Sequence, residues 1–176
     1  NNNTTTNNNG AALPEVLFNA FRQADEEWMR SSSNPSGSTA CIMLYDYNTG
    51  RAYIGNSGDT RAVMSRAGKA LDLTKDKKAT DPDEIARVAI AGGHVTRGRV
   101  MGSLAVSRAF GDAQLKKSRG LKKGLWASGT ETVIIDPEVT SFRPQRRGDI
   151  NNDDEFIIIA TDGLWDVMSS QQAVDS

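Results

Sequence analysis

A strand that ends in an acid constrains this chain more than any other stretch of its sequence. Residues 155–166 read EFIIIATDGLWD, in which four consecutive apolar residues begin at Phe156 and the pair Asp162-Gly163 follows shortly after. A short apolar run with turn residues behind it predicts a strand that is buried on both faces. A carboxylate at the end of such a strand needs a metal, an arginine or a helix terminus as its partner. Asp162 is therefore a candidate site residue.

A second strand-like run ends in the same way. Residues 52–62 read AYIGNSGDTRA and place Asp59 directly after Gly58. For either acid alone, an ordinary turn explains the sequence, because Asp and Gly commonly terminate strands. Two acids at strand ends also supply the oxygen ligands that a hard divalent cation prefers. The pair therefore suggests a cation site, and the turn interpretation stays open at this point.

The composition favours one globular domain. The chain has 176 residues, 38% of them hydrophobic, and a formal net charge of -1. This charge gives no general attraction to nucleic acid or to an anionic membrane, so we expect neither as a partner. Cys41 is the single cysteine, which favours a reducing compartment. No apolar stretch has the length of a bilayer and no signal peptide is visible, so we expect an intracellular protein of the cytoplasm, the nucleus or both.

Periodic patterns predict the elements of the first half. Apolar residues recur at three- and four-residue steps from Leu13, which predicts an amphipathic helix that reaches about Met29. Two strand-like runs then flank the turn residues 48–50, and a third strand, RAVMS, turns at Ala67-Gly68. These patterns predict two consecutive hairpins.

A helix start is clear near residue 82. Asp81 is a suitable N-cap, Pro82 suits the first helical position, and Glu84 completes an acidic variant of the capping box. The pair Gly92-Gly93 ends the helix.

The second half is richer in strands than in helices. The lysine-rich segment 115–124 has no regular apolar face and is interpreted as a solvated loop rather than a phosphate-binding patch. Residues 131–142 predict two strands that are broken at Asp136-Pro137. A strand-rich order with three helical segments is typical of antiparallel sheet packed by helices, an α+β class.

Five motifs occur in a fixed order and carry a resemblance to a known family. They read SGSTA (36–40), GNSGDTRAV (55–63), LTKDKKATDPDEIARVAIAGGHV (73–95), GSLAVSRAFGD (102–112) and EFIIIATDGLWDVMS (155–169). The series closely resembles the metal-dependent serine/threonine phosphatases of the protein phosphatase 2C family. The resemblance implies a four-layer α-β-β-α sandwich of two antiparallel sheets flanked by helices. It also implies hydrolysis of phosphoserine or phosphothreonine in phosphoprotein substrates, by water that is activated by Mn²⁺ or Mg²⁺.

The resemblance also implies roles for individual residues. Asp162 is a ligand of a pair of metal ions, and Asp59 joins it at a third, weaker ion. The remaining matched residues are expected to support this site. Gly58 and Gly163 lie beside the two acids, and Arg61 pairs with a nearby acid. Ser107, Arg108 and Asp112 form a polar network beneath the site. His94 does not match the family's functional histidine, which lies in an Asp-Gly-His-Gly-Gly motif that this sequence does not contain. No catalytic residue is assigned within the chain.

The match suggests a partial domain. Residues 1–10 are Asn/Thr-rich, contain no apolar side chain and are predicted to be disordered. Residues 11–176 are assigned to a phosphatase domain that is incomplete at both ends, with a flap-associated region at about 76–130 that borders the substrate cleft. The family's Asp-Gly-His-Gly-Gly strand end and its later Asp-Asn motif fall outside this chain. We therefore expect little activity from the chain alone. We also expect a monomer.

Two other functions compete with this interpretation. A haloacid-dehalogenase-type phosphotransferase also uses a strand that ends near Asp-Gly, but it needs a second aspartate two positions away, where this chain has Ala160 and Leu164. A catalytically inactive phosphatase-like module would bind phosphoproteins or regulate a partner. The presence of both Asp59 and Asp162 argues against that second alternative without excluding it.

Overall fold

Two three-stranded antiparallel sheets with helices against them form the body of the molecule. In this computed structural model, the structure describes residues 12–116, 131–145 and 153–176. The predicted α+β class with antiparallel sheets is confirmed. The Asn/Thr-rich residues 1–10 and most of the lysine-rich segment lie outside the described residues. Within the described residues, no helix is long and apolar enough to cross a membrane.

The first sheet contains the predicted hairpin. Strands β2 (Ala40–Asp46) and β3 (Arg51–Ser57) pair directly, and a later strand, which we number β9 (Glu138–Phe142), adds to the other side of β3. In the turn, a carboxylate oxygen of Asp46 accepts a hydrogen bond from the Asn48 amide at 2.9 Å. This is the local bond by which aspartate favours turns.

The second sheet brings the ends of two distant segments together. Its order is β10 (Asp154–Ala160), β4 (Arg61–Arg66) and β5 (Lys69–Asp72). The predicted turn between β4 and β5 is present, and Ala67 and Gly68 both have positive φ, 49° and 71°. Two consecutive positive φ values suit the right-handed twist of a tight hairpin.

Strand β10 contains a bulge near its start and pairs in strict register afterwards. The pairing steps from Asp154 opposite Arg66 to Phe156 opposite Ser65, which leaves Glu155 as an extra residue. The Glu155 carboxylate accepts hydrogen bonds from the Ser65 hydroxyl and from the Gly68 amide, at 2.5 and 3.0 Å. Side-chain bonds of this kind stabilise a bulge, whose extra residue lacks ladder partners.

Helices cover the sheets. Helix α1 (Leu13–Ser31) packs on the first sheet through Leu17 and Phe21, while α5 (Ser170–Asp175) packs on the second sheet. The remaining helices are α2 (Pro82–Ile90), α3 (Ala113–Lys116) and α4 (Asp162–Trp165). Two short ladders complete the fold, β1 (Gly37–Ser38) with β8 (Phe110–Gly111) and β6 (Val95–Thr96) with β7 (Arg99–Val100). The predicted helices near residues 13 and 82 are confirmed.

Two predictions about strands are wrong. Strand β10 is not buried on both faces, because Phe156 is 46% exposed and Ile159 is 41% exposed. It pairs only with β4 and so lies at an edge of its sheet among the described residues. The segment before Asp136 is not a strand either. It is a buried extended segment with one isolated bridge, between Arg108 and Ile134, because its neighbour at 104–109 is itself irregular.

Candidate metal site

The sheet register brings Asp59 and Asp162 to one edge of the second sheet. Ala160, the last residue of β10, pairs with Arg61, the first residue of β4. Asp59 precedes Arg61 by two residues and Asp162 follows Ala160 by two. In an antiparallel pair, residues that precede one partner and follow the other extend beyond the same end of the ladder. Two acids 103 positions apart in sequence, at 59 and 162, therefore lie together.

The two carboxylates interact without an intervening cation from the protein. Asp59 is buried, whereas Asp162 is exposed on the first residue of α4. Burial raises the pKa of Asp59, and the negative charge of Asp162 raises it further. Neither acid forms an ion pair with a lysine or arginine of the described residues. A bound cation would neutralise this like-charge pair.

The donor chemistry near Asp59 fits a hard divalent cation. Besides the two carboxylates, the Asn56 side-chain oxygen and the Ser57 hydroxyl are buried at the end of β3 and have no hydrogen-bond partner among the described residues. Buried polar atoms in native structures almost always have a partner, which can be a water or an ion. Within the described part of the chain, no group of three or more His, Cys, Asp or Glu side chains could hold a metal. The described residues thus offer two neighbouring carboxylates and buried polar oxygens, but no complete set of carboxylate, imidazole or thiolate ligands.

Gly58 and Gly163 differ in what their surroundings require. Gly58 has φ +103°, and a Cβ there would lie 2.3 Å from the Thr39 methyl carbon and 3.1 Å from the Arg108 carbonyl oxygen. Only glycine satisfies both conditions. A Cβ at Gly163 would meet only the Thr161 hydroxyl, at 3.4 Å, which is an ordinary contact. The structure thus gives a steric reason for glycine at Gly58 and none at Gly163.

Arg61 is paired with an acid other than Asp59. Its guanidinium forms a bidentate ion pair with Asp76, at 2.9 and 2.8 Å, and lies over the Trp165 ring at 5.3 Å from the centroid. The Ser170 hydroxyl lies 3.3 Å from the same guanidinium. Asp76 occupies the Nε–Nη2 edge of the guanidinium and Ser170 lies at Nη1, so Arg61 forms no ion pair with Asp59, which lies two residues away. The residue predicted to pair with a nearby acid does so.

A buried glutamate lies at the centre of the polar network. Glu84 is 2% exposed, and its two oxygens accept hydrogen bonds from Ser107 at 2.8 Å, Arg108 at 2.5 and 3.0 Å, and Arg87 at 2.9 Å. Burial alone would raise the pKa of Glu84, but the bonds from Arg108 and Ser107 outweigh it and lower this pKa to about 2. Ser107 and Arg108 thus contact the same residue, Glu84, to which the sequence had assigned only a role in the helix cap.

The predicted role of Glu84 in a capping box is wrong. Asp81 caps α2 by accepting a hydrogen bond from the Asp83 amide at 3.0 Å, but the Glu84 side chain turns inward to the arginines instead of back to the cap. Charge-assisted bonds to two guanidinium groups are stronger than one bond to a backbone amide. The one sequence signal was Arg87, which follows Glu84 by three residues on the same helix face.

Asp112 does not join the Glu84 network. It lies against Gly37, and burial raises its pKa, while the charge of Lys116 lowers it. Lys116 is fully buried and its ammonium binds Asp25 of α1 at 2.6 Å. The prediction that this lysine lies in a solvated loop is therefore wrong, because a buried carboxylate compensates its charge. His94 is exposed and lies in the connection between α2 and β6.

Comparison with known proteins identifies the family. The family model described as Protein phosphatase 2C matches residues 2–176. Protein phosphatase ppm-1.G of Caenorhabditis elegans is 38% identical over 169 residues, which cover 87% of this chain and 31% of the relative. Protein phosphatase 2C homolog 2 of Schizosaccharomyces pombe is 39% identical over 165 residues, 92% of this chain and 41% of the relative. The chain thus spans well under two thirds of the length of these relatives.

Solved structures support the same assignment. A crystal structure of serine-threonine phosphatase 2C from Toxoplasma gondii matches with a TM-score of 0.73 and 25% identity, over 93% of this chain and 54% of that chain. A structure described as a C. elegans sex determining protein matches with a TM-score of 0.74 over 97% of this chain and 38% of that chain. At 23% identity, the second match shows the fold alone. With the family model matching 2–176 and the relatives at this identity, the chain belongs to the protein phosphatase 2C family.

Proposed function

We propose that the protein is a metal-dependent serine/threonine phosphatase that hydrolyses phosphoserine and phosphothreonine in phosphoprotein substrates. The observation that carries this proposal is the juxtaposition of Asp59 and Asp162 at one edge of the second sheet. Family membership supports protein phosphatase activity. The chain spans 31% and 41% of two relatives, so the activity belongs to the whole protein that contains it.

Asp59 and Asp162 would hold a Mn²⁺ or Mg²⁺ ion through their carboxylate oxygens. When bound, such ions supply Lewis acidity, which lowers the pKa of water and stabilises the charge of phosphoryl oxygens. Two ions and a third, weaker one are proposed for the complete site. Asp59 supplies a buried oxygen and Asp162 an exposed one, so the site opens to solvent on the side of α4.

Neighbouring residues keep Asp59 available to a cation. Asp76 binds Arg61, and Asp166 binds the Lys78 ammonium at 3.3 Å. Both cations could otherwise pair with Asp59, because Arg61 follows it by two residues and the charge of Lys78 is near enough to lower the pKa of Asp59. We propose that these two acids act as positioning residues that prevent the site from being neutralised by the protein itself.

The chain alone is proposed to have little or no phosphatase activity. Two carboxylates are too few to bind Mg²⁺ or Mn²⁺ tightly, since these ions require about six oxygen ligands. We also propose a monomeric, intracellular protein, on the basis of its single cysteine and its near-neutral charge. The flap that borders the substrate cleft is assigned to about 76–130, of which residues 117–130 lie outside the described ranges.

The experiment is Mn²⁺-dependent hydrolysis of a phosphothreonine peptide by the complete protein and by its Asp162→Asn variant. We expect a loss of at least about 10-fold, since even outer-shell partners of metal ligands contribute that much. Asp175→Asn is the control, because Asp175 is an exposed acid whose described contact is with Gln171, at 2.7 Å. Equal, measurable activity of Asp162→Asn and the wild-type protein would contradict the role of Asp162 as a metal ligand, and no activity in either protein would favour a catalytically inactive module that binds phosphoproteins.

A further inference from the structure

The buried carboxylate of Glu84 is connected to the segment that carries Asp59 by a continuous series of hydrogen bonds. Glu84 accepts from the Ser107 hydroxyl at 2.8 Å. The backbone amide of Ser107 donates to the Lys77 carbonyl at 3.3 Å, and the Lys77 amide donates to the Gly58 carbonyl at 2.9 Å. Gly58 is the residue directly before Asp59. Three hydrogen bonds therefore connect helix α2 to the residue that directly precedes the candidate metal ligand.

A second route reaches the same glycine through packing. Arg108 binds Glu84 through its guanidinium, and its carbonyl oxygen lies 3.1 Å from the position that a Cβ of Gly58 would occupy. On the opposite side, the Asn56 side-chain amide donates to the Gly58 carbonyl at 3.4 Å. Gly58 is thus held between the Arg108 backbone and the Lys77 backbone. The Arg108 side chain binds Glu84 directly, and Ser107, which also binds Glu84, contacts the Lys77 carbonyl.

The network is built to be rigid. Glu84 and Ser107 are almost completely buried, and both oxygens of Glu84 are satisfied by donors. Arg108 also donates to the Asp136 carbonyl at 2.9 Å, and Arg87 donates to the Ser107 carbonyl at 2.9 Å. A fully satisfied buried network specifies one arrangement of its members, because any rearrangement leaves a charge without a partner.

We propose that Glu84 is a positioning residue that sets the cation affinity of the site by fixing the Gly58–Asp59 segment through Ser107, Lys77 and Arg108. The inference rests on the proposed function, because it requires Asp59 to bind the ion. It makes α2 part of the metal site, although no residue of this helix is a proposed ligand.

The test is the dissociation constant for Mn²⁺, measured on the complete protein from the electron paramagnetic resonance signal of free Mn²⁺. Glu84→Gln is expected to weaken binding by about 10-fold, the lower end of what outer-shell partners contribute. The matched control is Asp25→Asn, because Asp25 is a carboxylate of equal burial, 3% against 2%, that binds Lys116 and the Gly111 amide. Both variants lower the unfolding temperature, but only Glu84→Gln should change Mn²⁺ affinity.

Ser107→Ala gives a milder second variant that keeps the test valid if Glu84→Gln does not fold. It removes only the Ser107 hydroxyl, which lies 2.8 Å from a Glu84 carboxylate oxygen and 3.2 Å from the Lys77 carbonyl oxygen, and an affinity loss of about threefold is expected. Unchanged Mn²⁺ affinity in Ser107→Ala, or equal losses in Glu84→Gln and Asp25→Asn, would overturn the inference. Asp59→Asn separates this failure from that of the proposed function. If Asp59→Asn binds the weakest Mn²⁺ ion as tightly as the wild type, the role of Asp59 as a ligand and the inference are both wrong, whereas the assignment of Asp162 to the metal pair is tested separately by Asp162→Asn.

Discussion

Glu84 and Asp59 are both buried carboxylates, but their electrostatic surroundings are opposite. Glu84 has two arginines and a serine as donors, and its pKa is lowered to about 2. Asp59 faces another carboxylate, and burial together with Asp162 raises its pKa. A carboxylate that stabilises the fold has its partners within the protein, whereas one that is available to a ligand does not. The difference distinguishes a structural acid from a candidate ligand without reference to sequence motifs.

The largest expected change in stability comes from removing Glu84, the acid that is paired with arginines. Glu84→Ala leaves the partly buried Arg87 and Arg108 without this buried counterion, so we expect a loss of about 3–5 kcal/mol in the free energy of unfolding. Urea denaturation of the complete protein, followed by circular dichroism, measures it. Glu26→Ala, at an exposed acid of α1, is the control and should change stability by less than about 0.5 kcal/mol. A loss below 1 kcal/mol in Glu84→Ala would mean that the network is not compensating a buried charge.

The next effect concerns Gly58, which directly precedes Asp59 and is linked to Glu84 by a series of hydrogen bonds. Gly58→Ala forces φ +103° on a residue with a Cβ and places that Cβ against Thr39 and the Arg108 carbonyl. We expect a loss of about 2–4 kcal/mol in unfolding free energy, from backbone strain and the displaced contact. Gly163→Ala is the matched control, since its Cβ has an ordinary contact only. Equal stability of the two variants would show that the segment before Asp59 relaxes easily.

The pH dependence of stability should report Glu84. Its folded pKa of about 2 lies below the usual value of 4.5, so its contribution is fully present above about pH 4.5 and is lost as pH falls towards 2. The shift corresponds to about 3 kcal/mol. Urea denaturation between pH 2.5 and about pH 6 measures the slope. In Glu84→Gln this acid-side slope should be shallower, and an unchanged slope would assign it to other carboxylates.

The smallest expected change in stability is at Asp59, and there the substitution should stabilise the protein. Asp59→Asn removes a buried charge that forms no ion pair within the described residues, so in metal-free buffer we expect unfolding free energy to rise by about 1 kcal/mol. Thermal denaturation in the presence of a chelator measures this change. Added Mn²⁺ should stabilise the wild-type protein and have less effect on the variant. A destabilised metal-free Asp59→Asn variant would show that Asp59 has a structural partner after all.

The sequence alone predicts most elements of the fold. Turn residues and periodic apolar positions locate both hairpins and helices α1 and α2, because these signals are local. The exposure of Phe156 was not predictable in the same way. Whether an apolar strand is central or at an edge depends on pairing with distant segments, and the sequence of the strand itself does not contain that information.

The candidate site was predictable only in part. Asp59 and Asp162 stand out because each follows a strand and precedes or follows glycine. Glu84 and Lys116 do not stand out, since a charged residue in a helix or in a lysine-rich segment is usually exposed. Their burial results from partners such as Arg108 and Asp25, which are far away in sequence. Local patterns cannot reveal a compensated charge.

The bulge at Glu155 lies between the start of strand β10 and the part of the strand whose register positions Asp162. Beyond it, the pairing continues one residue at a time from Phe156 opposite Ser65 to Ala160 opposite Arg61, and this register fixes the separation of the two candidate ligands. A slip of one residue would move Asp162 by about 3.4 Å and reverse the faces of the strand. Because the extra residue is accommodated before this stretch, the segment that leads into β10 can change in length at the bulge while Asp162 stays in place.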